Sequence, residues 1–253
     1  MKKELISISI VSHGQSQLVT QVLEDLARLP ATIDIEILLT INVPEALHFD
    51  GMGLPWPIKV IQNKTPKGFG ANHNAASHLA SGGLFCVMNP DIHLLENPFP
   101  TLLGEMAMQQ ASVIGPAVLN THGQIEDSIR HSPSILSLAG KMLGRGDGRY
   151  SFMLGDDTFA ADWLAGMFML FRLEDYRAIG GFDEGFFLYY EDVDICARLW
   201  KSGRSVLACP KTQVIHDARR TSRRDFRYLR WHVASMARYF WKHWGRFPRG
   251  VVS

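Results

Sequence analysis

The sequence predicts an α/β fold, a mostly parallel sheet flanked by helices, and three observations carry that expectation. Over the first 115 residues short β-rich runs alternate with stretches of helical periodicity, the pattern of βαβ units. One apolar run, Leu84 to Met88, leads straight into Asn89-Pro90-Asp91, which puts a carboxylate at the C-terminal end of a buried strand, where open α/β sheets bind ligands. The chain has 253 residues, 46% hydrophobic and 20% charged, enough for one substantial core and unlike a disordered, collagenous or uniformly basic chain.

Taken in order, Leu5 to Ser12 reads as the first strand. Glu4 and the interleaved serines separate it from a signal peptide. From Gln15 to Leu29 the residues Leu18, Val22, Leu26 and Leu29 recur at helical spacing, and Pro30 closes the helix. Ile33 to Val43 is a nearly continuous apolar run suited to a strand covered on both faces. A Pro- and Gly-rich connection leads to a third strand, Ile58 to Gln62. The loop Lys67-Gly68-Phe69-Gly70 then opens a helix that runs to about Ser81, and Leu84 to Met88 is the fourth strand. Residues 139 to 160, with five glycines and several charges, read as a long mobile loop and a lid candidate. Beyond it come a strand near Met167 to Phe171, a short helix to Ile179, a helix from Glu191 to Ser202, a strand from Ser205 to Ala208 and a long helix over 221 to 246.

Charge is unevenly spread. Residues 1 to 216 hold 16 Lys and Arg against 23 Asp and Glu, and residues 217 to 253 hold 10 against 2. The acidic body argues against a nucleic-acid partner. Three scattered cysteines make neither a disulfide framework nor a cysteine zinc site, which fits a cytoplasmic setting, and no apolar run reaches the ~20 residues a membrane span needs.

The segment Gly180-Gly181-Phe182-Asp183-Glu184-Gly185-Phe186-Phe187-Leu188-Tyr189-Tyr190-Glu191-Asp192-Val193-Asp194, continued to Gly203, resembles the glutamate-aspartate motif of family 2 glycosyltransferases, especially their rhamnosyltransferase-like branch. Asp162-Trp163-Leu164-Ala165-Gly166 is similar to the family's acceptor-side segment, and Lys67 to Asn74 to its glycine-phenylalanine loop. The resemblance spans about residues 4 to 217. It implies the GT-A fold, a Rossmann-like sheet, with a domain over 1–217 whose nucleotide-sugar half covers about 1–115 and whose acceptor half covers about 116–217. Residues 218–253 would be a basic, amphipathic helical extension.

The resemblance also implies an inverting transferase that moves a sugar, best guessed as L-rhamnose from its thymidine-diphosphate donor, to a glycan or lipid-linked glycan. Asp192 would be the general base, with Glu191 its nearest competitor. Asp91 and His216 would hold Mg2+ or Mn2+ on the donor diphosphate, a task hard cations perform with few carboxylates. Gly68, Asn74, Asn42 and Asn89 would line the donor, Asn89 standing where relatives carry an aspartate and Ile41-Asn42 where they often carry Asp-Asn. Trp163 and Gly166 would face the acceptor. Asp194 falls on the helical face of Arg198 and can pair with it. Two other readings stay open: a non-catalytic nucleotide-sugar or glycan-binding scaffold, and a nucleotidyltransferase on a related sheet.

In the tail, arginines from Arg219 to Arg230 precede a stripe of Phe226, Leu229, Val233, Met236, Phe240 and Trp244. Such a helix would pack on the domain, pair two copies as a homodimer, or lie peripherally on an anionic membrane surface.

Overall fold

The computed structural model describes residues 4–30, 32–49, 53–133, 148–217 and 226–244. Among these, a nine-stranded sheet runs in the order β3 (Ile58–Gln62), β2 (Asp34–Ile41), β1 (Leu5–Ser12), β4 (Leu84–Met88), β10 (Phe168–Arg172), β6 (Val113–Leu119), β11 (Val206–His216) and β5 (Ile92–His93), with β8 (Phe159–Ala160) also on β11. The first four are mutually parallel and β10 enters antiparallel between β4 and β6. A ribbon of β7 (Ile129–Arg130) and β9 (Trp163–Leu164) stands apart.

Alternation in β1 explains how it is buried on both faces. Ile6, Ile8 and Ile10 pack with Val19, Val22, Leu23 and Leu26 of α1 (Ser16–Arg28), each fully buried side chain contributing ~1.5–3 kcal/mol. The serines face the other way and are satisfied: Ser7 donates to Glu36 at 2.6 Å, and Ser9 pairs with His73 of α2 (Phe69–Leu79) at 2.8 Å. A second core on the opposite face joins Phe85, Val87, Phe171, Tyr176 and Phe182 to Ile195, Cys196 and Leu199 of α5 (Glu191–Lys201). Helices α3 (Phe99–Met108) and α4 (Leu173–Ala178) complete the layers, and α6 (Phe226–Lys242) lies over α5 through Tyr239, Val193, Ala197 and Phe186.

The early strands fall where periodicity places them. β11 instead continues eight residues beyond the expected end at Ala208, because the chain bulges between Cys209 and Gln213. Pro210 sits in that irregular stretch, where a missing N–H breaks no regular ladder. Of the lid candidate, residues 139–147 lie outside those described, and 159–160 form β8.

Helix α6 corrects the expected stripe. Phe226, Leu229, Val233 and Trp244 are 86%, 59%, 49% and 70% exposed, and the docked face is Ser235, Tyr239 and His243 instead. That face is polar because it meets the Leu188 carbonyl through Ser235 and Asp194 through His243, groups a helical wheel of α6 alone does not contain.

Candidate active site

The residues at the C-terminal end of β4 make the first half of the site. The backbone N–H of Asn89 donates to Met167 at 2.9 Å, and the carbonyl of Asp91 accepts from Asp217 at 2.9 Å, so the turn is tied to the strand β10 entry and to the end of β11. His216 thereby arrives beside Asp91, its Nε2 3.4 Å from Asp91 Oδ2. Its Nδ1 lies 2.7 Å from a carboxylate oxygen of Glu126, 90 residues away in sequence. With Nδ1–H donated to Glu126, Nε2 is the nitrogen left to face Asp91. Burial alone would lower the His216 pKa, but Asp91 and Glu126 raise it above its usual value. Asp91 Oδ1 is buried and accepts no hydrogen bond.

The second half is the start of α5. Tyr189 and Tyr190 hold φ of 70° and 67°, two consecutive residues in the left-handed region. Each costs roughly 1–2 kcal/mol for a residue with a Cβ, and the pair turns the chain so that Glu191 and Asp192 begin the helix. Asp192 Oδ2 accepts the N–H of Gly166 at 3.1 Å, and Oδ1 accepts that of Val193 at 2.8 Å. A Cβ on Gly166 would lie 3.1 Å from the Phe69 ring and 3.8 Å from Asp192, so the glycine admits both neighbours. Gly166 adjoins Met167, the partner of Asn89, and this one segment therefore connects the Asp192 carboxylate to the Asp91 turn.

Desolvation raises the pKa of Asp192, against the lowering effect of the N–H donors and Arg130. Glu191 is buried, its Oε2 has no partner, and desolvation with the adjacent Asp192 charge pushes it well above the carboxylate range. Two neighbouring carboxyls whose environments both favour protonation are suited to proton transfer. Trp163, half-buried on β9, donates its indole N–H to the carbonyl of His131 at 3.1 Å and lies under the Arg130 guanidinium at 5.8 Å.

Three of the donor-side candidates are already engaged within the protein. Asn74 spends its whole hydrogen-bonding capacity internally: its amide donates to Phe182 O at 2.9 Å and Glu184 at 3.0 Å, while Oδ1 accepts from Tyr176 at 2.7 Å and the Phe182 N–H at 2.9 Å. Asn42 is likewise occupied, by His13, Asn63 and both backbone groups of Lys67. Gly68 makes a close approach to protein, since a Cβ there would lie 2.6 Å from the carbonyl of Phe187. These contacts build the loop. Asn74→Ala should therefore act on stability. It strands the buried Phe182 N–H and Tyr176 hydroxyl at about 1–3 kcal/mol each, and a melting curve should fall by about 2–4 °C per kcal/mol lost.

Sequence reasoning also missed Glu126, which lies in a loop with no periodic signal, and Asn63 and Asn72, linked at 2.7 Å beside Asn42. The i, i+4 spacing of Ser235, Tyr239 and His243 could have been noticed. A cavity of about 240 Å³ along the β11 bulge, lined by Leu154, Gly155, Pro210 and Gln213 among others, contains none of the candidate residues.

Parts of the chain are similar to known proteins. Residues 158–221, which include β9 and the start of α5, match the family described as the N-terminal domain of galactosyltransferase. The chain is 40% identical over 102 residues to the rhamnosyltransferase WbbL of Escherichia coli K12, covering 35% of this chain and 38% of that protein. It is 28% identical over 148 residues to an N-acetylglucosaminyl-diphospho-decaprenol L-rhamnosyltransferase of Mycobacterium tuberculosis, covering 55% of this chain and 48% of the relative. These matches span less than half the length of each curated relative. Among solved structures, GalNAc-T7 with UDP, GalNAc and Mn2+ superposes over 86% of this chain and 44% of its own, with a TM-score of 0.64 at 18% identity. The mannosyltransferase PcManGT of Pyrobaculum calidifontis, with GDP-Man and Mn2+, superposes over 95% of this chain and 65% of its own, also at 0.64, with 10% identity.

Parts of the chain are thus similar to rhamnosyltransferases, and the fold is that of the GT-A glycosyltransferases.

Proposed function

We propose that this rhamnosyltransferase-like chain is an inverting glycosyltransferase that moves a hexose, L-rhamnose from a thymidine-diphosphate donor being the leading candidate, onto a glycan or lipid-linked glycan. The observation that carries the reading is that the single segment Gly166-Met167 ties the Asp192 carboxylate to the turn that carries Asp91. Asp192 takes the proton of the acceptor hydroxyl while that oxygen attacks the anomeric carbon. The bond from that carbon to the nucleotide diphosphate breaks, the electron pair leaves with the diphosphate, and the anomeric centre inverts. Both Asp192 oxygens already accept one backbone N–H, which fixes the carboxylate and leaves a lone pair on each for the incoming proton. Trp163, beside Gly166, presents a flat apolar surface to an acceptor ring.

The donor set at the β4 end fits a divalent cation, Mg2+ or Mn2+. A buried carboxylate oxygen without a partner and an imidazole nitrogen oriented by Glu126 are hard-to-borderline ligands, and such cations commonly complete their shell with substrate phosphates and water. When bound, the cation would neutralise charge on the leaving diphosphate. Asn89, at the same turn, would lie on the donor side. Incubating the protein with a panel of nucleotide sugars, each with and without Mn2+, and recording thermal stabilisation tests the donor class, because a ligand of the folded state raises the melting temperature without any acceptor.

The outward face of α6 supports a peripheral association with an anionic bilayer on the cytoplasmic side. Among the described residues no helix is long and apolar enough to cross a membrane. Phe226, Leu229, Val233, Trp241 and Trp244 are exposed together with Arg227 and Arg230, and further arginines precede them in sequence. Each cation near an anionic surface contributes ~1 kcal/mol and tryptophans settle at headgroup level. Substituting Phe226, Trp241 and Trp244 together with serine should leave the melting temperature nearly unchanged and remove co-sedimentation with vesicles containing phosphatidylserine. Equal sedimentation of wild type and variant, or none by either, would leave this face to a second copy of the chain or another protein.

A further inference from the structure

We propose that α6 is a positioning element for the transfer site: Ser235, Lys242 and His243 hold the left-handed turn at Tyr189–Tyr190 that presents Asp192. The inference rests on Asp192 being the base, and it concerns residues beyond 158–221, the segment that the galactosyltransferase family description matches.

The turn is short of local support. No side chain caps the start of α5, and the two left-handed tyrosines follow a loop, Asp183 to Leu188, without regular structure. What fixes it comes largely from α6. Ser235 donates its hydroxyl to the carbonyl of Leu188 at 2.9 Å, the residue immediately before the turn. His232 meets the rings of Tyr189 and Tyr190 edge-on at 5.4 and 5.5 Å, and Tyr239 packs on Tyr190 at 5.5 Å. Trp231 stacks on Phe187 at 4.8 Å. From the opposite side the first amide of α2, Phe69, donates to the carbonyl of Phe187 at 3.0 Å.

Two carboxylates bracket the turn, and α6 binds both. Asp183 receives Arg238 at 2.9 and 3.1 Å and Lys242 at 2.6 Å. Asp194, fully buried two residues after Asp192, receives Lys242 at 2.7 Å, His243 at 2.8 Å and Arg198 of its own helix at 2.7 Å. Burial would raise both carboxyls, but the hydrogen bonds and the Lys and Arg charges beside them hold them below the usual range, so both are charged at neutral pH. Lys242 alone reaches the two of them. It therefore spans the loop from its start to the first turn of α5, and a shift of α6 would be passed to the Asp192 carboxylate through Asp194 and Leu188. Misplacing a reacting group by about 1 Å can cost ~10²-fold in rate.

The test uses the full chain with Lys242→Gln, Lys242→Arg and, independently, Ser235→Ala. Transfer kinetics would be read alongside hydrogen exchange of peptides covering 186–194 and of β1 and β4. Lys242→Gln should lower kcat about ten- to hundredfold while the donor KM stays within twofold, with faster exchange confined to 186–194. Lys242→Arg should recover most of the rate, and Ser235→Ala should move kcat and exchange in the same direction. If kcat and exchange in 186–194 are unchanged in both Lys242→Gln and Ser235→Ala, α6 does not position the turn. A loss of kcat accompanied by equal loosening of β1 and β4 would reduce α6 to a general folding role and overturn the proposal. Absence of transfer by the wild-type chain with every donor would instead defeat the catalytic reading, and the exchange comparison would still decide whether α6 holds the turn.

Discussion

Asp192→Asn should reduce transfer by ~10²–10⁴-fold, the usual worth of a positioned general base, while donor affinity changes only severalfold. The amide keeps the size of the carboxylate and can still accept the Gly166 or Val193 N–H, but it cannot take the acceptor's proton. The pH profile carries a second signature. The base works deprotonated, and desolvation raises its pKa, so the acid limb of kcat/KM should lie above the ~3.9 of an unperturbed aspartate. Arg130 opposes that rise, and Arg130→Ala should carry the limb to still higher pH. Glu191→Gln separates the neighbours: activity lost there and kept in Asp192→Asn would move the base to Glu191.

The same substitution has a stability consequence of definite sign. Glu191 has a folded pKa raised above its unfolded value, so its ionisation destabilises the fold progressively as pH rises from about 4.3 toward the folded pKa. Glu191→Gln lacks that titration. Its melting temperature should exceed that of the wild type by a margin that grows from pH 4 to neutrality, and a margin that shrinks over that range would contradict the protonated-state assignment.

Legibility in the sequence divided along physical lines. Strands β1, β3 and β4 and the placement of Asp91 follow from apolar runs that end in polar turn residues, a local signal. The pairing of Asp194 with Arg198 follows from helical spacing, and the structure places them 2.7 Å apart. Asn74, Asn42 and Gly68 make contacts that the local motif does not announce. A motif transfers the identity of a residue but not the partners that consume its hydrogen bonds, and here those partners, Phe182, Tyr176, Lys67 and Phe187, belong to distant segments. The register of α6 was illegible for the same reason. Its apolar stripe is the natural docking face of an isolated helix, yet the half-buried Asp183 and the buried Asp194 on the body select the side carrying Arg238, Lys242 and His243. Glu126 left no local mark, because only the pairing of β11 with β6, whose Val118 carbonyl accepts the Glu126 N–H, brings His216 within its reach.

Asp91→Ala should abolish the metal-dependent part of donor binding. Its Oδ1 is buried without a partner, a costly state for a charged oxygen unless a ligand relieves it, and its Oδ2 is already 3.4 Å from His216. Calorimetric titration of the nucleotide-sugar with wild type in Mn2+, then in chelator, gives the increment the cation supplies. The variant should bind in Mn2+ only as tightly as wild type does in chelator. Glu126→Gln provides a graded control. It keeps the His216 ring in place with a weaker acceptor on Nδ1, and loss of such an outer partner typically lowers metal affinity about 10- to 100-fold, so binding of Mn2+ alone should weaken without vanishing. Wild-type donor binding that is indifferent to chelator would refute the metal reading. Neutralisation of the leaving diphosphate would then fall to cationic side chains, with the exposed Lys67 the first to substitute, since its loop opens α2 and its backbone is pinned by Asn42 at 2.8 and 3.0 Å.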